Sequence, residues 1–357
     1  MTVWAVILAG GVGSRFWPVS TATRPKQLLP LVTAQPLLAD TLARMAPLAD
    51  AAHTLILTNA SLVAAVRHVA PAVRAGNVIA EPRPAGTAAA LAWAASRIAR
   101  DDGPDAVMMS VHADWAVGDA DRFRATLTDA ARLAAAHEAL VTVGIVPSRA
   151  DPGFGYIRPG VPVPVPAGRA RDDDWGTAPA RRVAEFVEKP DRDRAAAMVR
   201  EGCLWNSGIF VWRVGDFLAE VMEHCPEVAP ALAAHPDDAA AFFQAVRPVS
   251  VDVGVMERSD RVLVIPGDFG WDDVGTWAAL RRVRQADERQ NAVNGSVFPI
   301  DSSGNVVHAE GHEVVLFGVS DLVVVTHDNL TLVTTVDRAA DLKQLLEALP
   351  PRLRDRR

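Results

Sequence analysis

The first 146 residues alternate short apolar runs with helical patterns, and this alternation constrains the fold more than any other feature. Strands that alternate with helices indicate right-handed βαβ units and a mostly parallel sheet. Ligands bind such sheets beyond the carboxyl ends of the strands, so a site is expected in the segments that follow them. Strands are predicted at residues 3–9, 54–58, 77–80, 106–111 and 140–146, and helices at residues 36–48, 60–70, 86–100 and 121–137.

The pattern changes twice later in the chain. Residues 160–179 are rich in Pro and Asp and have no period, which predicts a protruding loop. Two strands and a helix are then expected at residues 182–187, 209–212 and 214–225. After Gln285, short apolar runs between turn signals predict a small all-β module, and Asp337 can cap a last helix at residues 338–349. We therefore expect two domains, at residues 1–284 and 285–357.

Composition excludes several classes of protein. The formal net charge of -7 gives no global basic field for nucleic acid, so an anionic ligand must be held by local positive groups. The only two cysteines, Cys203 and Cys225, stand outside any metal-binding spacing and are expected to be buried free thiols. No signal peptide or apolar stretch long enough for a membrane span is visible, which predicts a cytoplasmic protein without a membrane partner.

A glycine-rich loop follows the first strand, with the sequence Gly10-Gly11-Val12-Gly13-Ser14-Arg15. Glycines let a backbone approach a phosphate closely and aim N–H groups at it, and Arg15 and Lys26 add positive charge. A dinucleotide fingerprint would need glycine where Phe16 stands, and a Walker A loop would need a terminal Gly-Lys-Ser/Thr. By itself the cluster could also be a tight turn beside a surface arginine.

The longer string resembles the signature of the sugar-nucleotide pyrophosphorylases. Arg15-Phe16-Trp17-Pro18 with Pro25-Lys26-Gln27 is similar to the mannose-1-phosphate guanylyltransferase branch of that family. The resemblance implies a Rossmann-like, mostly parallel mixed sheet of the nucleotide-diphospho-sugar transferase type, with a small C-terminal β-helix-like module. It also implies that Gly10, Gly11, Gly13 and Ser14 wrap the nucleotide phosphates, with Arg15 and Lys26 as catalytic residues.

Glu81 is the candidate reader of the nucleotide base. A carboxylate at the end of a strand can accept both donors on the Watson–Crick edge of guanine, a pair that adenine lacks. Thr87 is expected to assist. The alternative is an anion that only stabilises the start of the next helix, and the two interpretations stay open.

Two distant aspartates match the metal ligands of the family. Asp114 follows a strand in Ser110-Val111-His112-Ala113-Asp114, where relatives commonly have Pro in place of His112. Asp273 is the second Asp of Gly270-Trp271-Asp272-Asp273 and is chosen over Asp272. Two carboxylates with phosphate oxygens suit Mg²⁺, or Mn²⁺. Each aspartate taken alone could equally be a cap or a solvated turn residue.

Three further motifs resemble the sugar-phosphate side of the family. They are Gly153-Phe154-Gly155-Tyr156-Ile157, Phe186-Val187-Glu188-Lys189-Pro190 and Trp205-Asn206-Ser207-Gly208. Gly155 would let the backbone pass beside a ligand, Glu188 and Asn206 would hold sugar hydroxyls, and Lys189 would pair with the sugar phosphate as a catalytic residue. Residues 250–257 also resemble a family motif and are expected to support this pocket structurally.

The resemblance thus implies an enzyme that joins GTP and mannose 1-phosphate into GDP-mannose and releases pyrophosphate. Another hexose or heptose 1-phosphate could replace mannose 1-phosphate, and a non-catalytic nucleotide-sensing paralogue is a second alternative. A nicotinamide oxidoreductase is disfavoured by Phe16. The short apolar strands after Gln285 need cover, and the resemblance suggests a homodimer formed through this module.

Overall fold

The computed structural model describes residues 2–11, 14–164 and 180–354. The strands before residue 290 in these ranges are β1 (Val3–Leu8), β2 (Thr54–Asn59), β3 (Val78–Glu81), β4 (Val107–His112), β5 (Ala116–Val117), β6 (Leu140–Ile145), β7 (Tyr156–Pro162), β8 (Arg181–Val187), β9 (Leu204–Arg213), β10 (Val262–Gly267) and β11 (Trp271–Asp272). Nine form one sheet in the order β3-β2-β1-β4-β9-β6-β10-β8-β7, while β5 pairs with β11. Since β8 and β9 run antiparallel to their neighbours and the other seven strands share one direction, the predicted mostly parallel mixed sheet is confirmed.

Helices cover both faces of this sheet. Their bounds are α1 (Leu37–Met45), α2 (Val63–Val69), α3 (Thr87–Asp102), α4 (Ala120–His137), α5 (Arg192–Arg200), α6 (Val214–His224), α7 (Ala229–Ala234), α8 (Ala239–Ala245), α9 (Leu280–Val283), α10 (Leu342–Ala348) and α11 (Pro351–Arg354). In β1, Ala5 and Ile7 pack in the core that contains α1 and α4, whereas Val6 and Leu8 pack in the core that contains α3 and α6. A strand covered on both faces must be apolar throughout, which explains the unbroken run at the start of the chain. Both cysteines are free and buried, as expected.

The C-terminal module consists of β12 (Ala292–Asn294), β13 (Val297–Ile300), β14 (Val306–Ala309), β15 (Val314–Phe317), β16 (Leu322–His327) and β17 (Leu330–Thr335). Parallel pairs join β12 to β14, β14 to β16 and β13 to β15, and β17 closes the set antiparallel to β16. One face of the module shares a buried core with the segment after the glycine loop and with the segment before α9, through Phe16, Trp277 and Val323 among others. The module therefore packs directly on the part of the chain that contains the site residues.

Two expectations from the sequence are corrected. The loop expected at 160–179 begins later, because β7 continues to Pro162; residues 165–179 lie outside the described ranges. Past Ile157, the described chain pairs with β7 on one side only, and such an edge tolerates proline. The last helix is not continuous: a 3₁₀ turn over Asp337–Ala340 precedes α10. Ala339 and Leu342 are both buried, and 3₁₀ geometry aligns residues three apart.

Candidate active site

The glycine loop is held at its base by side-chain donors. The buried Gln27 amide donates to the carbonyls of Ala9 (2.7 Å) and Gly11 (2.9 Å), and the Thr58 hydroxyl also donates to Ala9 (3.0 Å). Gly10 and Gly11 line a cavity of about 300 Å³ at the carboxyl ends of the strands. Of the other loop residues predicted to bind phosphate, Gly13 and the Ser14 side chain lie outside the described part of the structure.

Lys26 brings the two aspartate motifs together. Its ammonium group donates to Asp114 Oδ2 at 2.9 Å and to the main-chain carbonyl of Asp273 at 2.6 Å. The lysine side chain is only 9% exposed, so this charge is largely withdrawn from water. Two residues that lie 88 and 247 positions from Lys26 in sequence therefore meet at its ammonium group.

The structure separates the roles of Asp272 and Asp273. Asp272 is buried, accepts two hydrogen bonds from Arg282 (2.7 and 3.1 Å) and caps the N–H of Val274 at 2.9 Å. Asp273 instead lies against Gly275, where an added Cβ would be 2.8 Å from Asp273 Oδ2 and 3.5 Å from Arg15 Nη1. The exposed Arg15 thus reaches the same side of the site as Asp273, and a side chain larger than glycine at 275 would crowd both.

Opposing effects set the charges of the two carboxylates. Burial alone would raise the pKa of Asp114, but the charge of Lys26 and that of His112 outweigh it and hold the pKa below its usual range. For Asp273, burial raises the pKa, and the nearby Asp272 and Asp114 raise it further against the pull of Lys26. A cation between Asp114 and Asp273 would relieve this repulsion.

The two carboxylates can supply only part of the ligand set of a hard divalent cation. Among the described residues, no group of three or more His, Cys, Asp or Glu side chains converges as a complete metal cage. Two carboxylates that leave further positions for water and phosphate oxygens are typical of Mg²⁺ sites. Asp114 and Asp273 therefore fit a magnesium ion whose remaining coordination positions are filled by water and substrate phosphate oxygens.

Glu81 lies in the cavity beside the glycine loop. It ends β3, and a Cβ added at Gly10 would lie 3.7 Å from its Oε1 atom. Burial raises the pKa of Glu81 to about 7. Asp114 and His112 also line this cavity. A ligand with its base on Glu81 could consequently extend along Gly10 and Gly11 towards Asp114.

Thr87 has a structural contact as well as a place in this cavity. Its hydroxyl oxygen accepts the N–H of Val251 at 2.9 Å, which leaves the hydroxyl hydrogen for a ligand. Just before it, Gly86 has φ +82°, and a Cβ there would be 2.2 Å from the carbonyl of Val249. The start of α3 is thus tied to residues 249–251.

The predicted sugar residues meet around Gly155. A Cβ at Gly155 would lie 2.7 Å from Glu188 Oε2 and 3.4 Å from Asn206 Cβ, so only glycine leaves room there. Asn206 lies inside β9, which begins at Leu204, earlier than the strand predicted at 209–212. Lys189 has φ 45° and pairs with Glu188, and both side chains are more than half exposed. Lys189 therefore contacts the residues around Gly155 through its ion pair with Glu188, and its exposed ammonium group can bind an incoming anion.

Two residues outside the predicted set of site residues organise the site. Asp252 accepts a hydrogen bond from Asn206 Nδ2 at 2.7 Å, while Asn206 Oδ1 accepts the N–H of Gly208 at 3.2 Å, so the Asn206 amide is fixed in orientation. His112, in place of the proline common in relatives, faces Gly208, where a Cβ would lie 3.3 Å from its Nε2. The resemblance of residues 250–257 to a family motif was the available signal for Asp252.

Comparison with known proteins identifies the family. A model described as nucleotidyl transferase matches residues 4–290, and one described as MannoseP isomerase/GMP-like beta-helix domain matches residues 295–349. This chain belongs to the nucleotidyl transferase family. It is 33% identical to the mannose-1-phosphate guanylyltransferase of Salmonella muenchen, and the match covers 96% of this chain and 72% of that protein.

Other comparisons agree with this membership. The mannose-1-phosphate guanylyltransferase of Escherichia coli is 34% identical over 97% of this nucleotidyl transferase and 73% of its own length. A crystal structure described as mannose-1-phosphate geranyltransferase from Thermus thermophilus covers 98% of this chain and 100% of that chain, with 32% identity and a TM-score of 0.86. This confirms the predicted nucleotidyl transferase fold with its β-helix-like module. In the described residues, no helix is both long and apolar enough to cross a membrane.

Proposed function

We propose that this chain transfers GMP from GTP to α-D-mannose 1-phosphate, giving GDP-mannose and pyrophosphate. The observation that carries the proposal is the meeting of Lys26, Asp114 and Asp273 at the carboxyl ends of the strands, next to a cavity that contains Glu81. The substrate in the names of two relatives, which match over 96% and 97% of this chain and 72% and 73% of their own length, agrees with it. Glu81 would read the base, and Gly155, Glu188 and Asn206 would hold the sugar.

The reaction needs no protein nucleophile. An oxygen of the sugar phosphate attacks the α-phosphorus of GTP in line, and pyrophosphate leaves. Lys189 holds the sugar phosphate against the repulsion of the nucleotide, while Arg15 and Lys26 neutralise the departing pyrophosphate, so the side chains act by position and charge. Asp114 and Asp273 would hold a magnesium or manganese ion, which supplies charge stabilisation at the α-phosphate when bound.

The test is a matrix of nucleotides and sugar 1-phosphates with detection of both products. GTP with mannose 1-phosphate should give the highest kcat/KM, with one pyrophosphate formed for each GDP-mannose. A higher value with another hexose or heptose 1-phosphate would replace mannose as the substrate. Absence of pyrophosphate release with every pair would contradict the reaction itself.

Glu81→Gln should reduce the preference for GTP over ATP roughly ten-fold or more, because an amide places a donor against guanine donors and unpaired buried groups cost about 1–3 kcal/mol. Glu81 can accept from both guanine donors only when it is ionised, and burial raises its pKa to about 7. In the unaltered enzyme, kcat/KM for GTP should therefore fall as the pH drops below about 7.

The pH dependence is measured as the ratio of kcat/KM for GTP between the unaltered enzyme and Glu81→Gln, from pH 6 to pH 8. The ratio removes the titration of groups common to both proteins, including the substrate. It should rise with pH. A flat ratio together with an unchanged GTP/ATP preference would assign base recognition to another residue.

We also propose that the chain forms a homodimer through its C-terminal module. The face of β13 and β15 that points away from the rest of the module carries four exposed apolar side chains in two paired rows. Their exposed fractions are 51% for Phe298, 51% for Ile300, 64% for Val315 and 73% for Phe317. A contiguous apolar patch of this kind marks an interaction surface, and its parallel rows suit a second copy of the same surface.

Phe317→Ser should convert the dimer to a monomer at micromolar concentration, because it removes the most exposed apolar side chain of this face. Light scattering measures the mass. Met222→Ser is the matched control, since Met222 is 52% exposed on α6 in the catalytic part of the chain. A monomeric unaltered protein, or a dimer that survives Phe317→Ser and Phe298→Ser together, would contradict the proposal.

A further inference from the structure

The segment that contains Lys26 is tied at both ends to the C-terminal module and its junction. Before Lys26, the Arg24 guanidinium makes two hydrogen bonds to Glu310, each 3.0 Å long. After it, the Leu31 carbonyl accepts from Arg284 Nε at 2.6 Å. Glu310 follows β14, so contacts between residues 286 and 253 positions apart in sequence hold the two sides of this segment.

Glu310 is the hub of these contacts. Its Oε1 lies 3.1 Å from His308 Nε2, its Oε2 lies 2.8 Å from His327 Nδ1, and the Arg24 fork contacts both oxygens. Burial alone would raise the pKa of Glu310, but the hydrogen bonds from His308 and Arg24 outweigh it and hold the pKa far below its usual range. Glu310 is thus a fixed anion surrounded by donors.

His308 continues the connection into the buried junction. It is fully buried, and its Nδ1 lies 3.0 Å from Arg284 Nη2. Arginine can only donate, so Nδ1 is the acceptor and Nε2 carries the proton that it donates to Glu310. Burial lowers the pKa of His308, which agrees with this neutral tautomer. Arg284 itself is buried, and burial lowers its pKa to about 10.

We propose that Glu310 is a positioning residue: through Arg24 it fixes the segment that places the Lys26 ammonium between Asp114 and the Asp273 carbonyl. The C-terminal module would then contribute to nucleotidyl transfer indirectly, by holding the segment that contains Lys26. The proposal rests on the proposed role of Lys26. Its physical basis is that the Lys26 ammonium is fixed by two acceptors, whereas the segment around it is held by the bonds from Arg24 to Glu310 and from Arg284 to the Leu31 carbonyl.

Glu310→Gln keeps the size of the side chain but turns one oxygen into an amide that faces donors. We expect kcat to fall about ten-fold with little change in KM for GTP, since a small displacement of a catalytic group affects the transition state most. Arg24→Lys, which keeps the charge and loses the fork, should lower kcat in the same direction. The double variant should be no slower than Glu310→Gln alone, because both changes break one connection.

The chain offers a second readout that needs no substrate. It contains three lysines, of which Lys26 is buried while Lys189 and Lys343 are exposed. Acetylation of the lysines by acetic anhydride, followed by mass spectrometry, should modify Lys26 slowest. In Glu310→Gln, the rate at Lys26 should rise several-fold relative to the two internal references, since the segment opens more often.

Asp301→Asn is the matched control, because Asp301 pairs with Arg289 in an exposed ion pair of the same module at 3.3 Å. It should leave both readouts unchanged. A folded Glu310→Gln with unaltered kcat and unaltered protection of Lys26 would overturn the proposal, as would additive losses in the double variant. Failure of the proposed function would appear separately, as absent pyrophosphate release by the unaltered chain.

Discussion

Asp114→Asn and Asp273→Asn should each lower kcat at least ~100-fold, which corresponds to about 2.7 kcal/mol of transition-state stabilisation. Both changes replace a carboxylate of the proposed magnesium site by a neutral amide, and the two carboxylates are close enough for Asp114 to raise the pKa of Asp273. The remaining activity should require more Mg²⁺ for half-maximal rate, because a hard cation loses one of its two protein charges. Steady-state pyrophosphate release at varied Mg²⁺ measures both effects.

Asp272→Asn distinguishes the two neighbouring aspartates. Asp272 is bound to Arg282 and caps Val274, so its loss should lower the Tm and leave most of the turnover of the folded protein. Rates are therefore compared well below the Tm of each variant. Near-normal turnover in both Asp114→Asn and Asp273→Asn, or a larger loss in Asp272→Asn, would contradict the metal assignment.

Lys26→Met should lower kcat by ~100-fold or more, because it removes the positive charge that contacts both Asp114 and the Asp273 carbonyl. It should also reduce the free energy of unfolding by about 1–3 kcal/mol, since the Asp273 carbonyl and Asp114 lose their donor. Lys343→Met is the control, because Lys343 is an exposed lysine on α10. Stability is measured by urea unfolding and kcat by pyrophosphate release.

The outcome separates two roles of Lys26. A variant that is less stable but retains its kcat would reduce Lys26 to a structural residue. A variant with unchanged stability and strongly reduced kcat would instead show that the hydrogen bonds to Asp114 and Asp273 contribute little to folding.

The sequence was sufficient to predict five of the parallel strands, β1 to β4 and β6, because they are apolar runs separated by helical patterns. It was insufficient where local composition and tertiary position disagree. β7 contains Pro159 and Pro162 yet pairs with β8, and the long β9 contains polar residues Asn206 and Ser207 because it borders the site. β10 was not predicted, although its partner β6 was.

The candidate site was predictable as a set of motifs and unpredictable as a set of contacts. The choice of Asp273 over Asp272 as a metal ligand rested on the family resemblance alone. The pairing of Asp272 with Arg282 adds a physical reason, because it occupies the Asp272 carboxylate. The Asn206–Asp252 bond joins residues 46 positions apart, and no local period reveals such a pairing. The contact of Glu310 with Arg24 depends on how the module packs, which neither segment specifies alone.

The two buried thiols can be used to measure local opening of this enzyme by chemical labelling. A thiol reagent can reach Cys203 or Cys225 only after the surrounding structure opens, so each labelling rate measures the stability of its own neighbourhood. A Cβ at Gly254 would lie 3.0 Å from Cys225 Sγ, and Gly254 shares one turn with Asp252. If bound sugar phosphate stabilises this turn, saturation with it should therefore slow the labelling of Cys225. Cys203, which lies between α5 and β9, is labelled in the same experiment and reports on a second region of the structure.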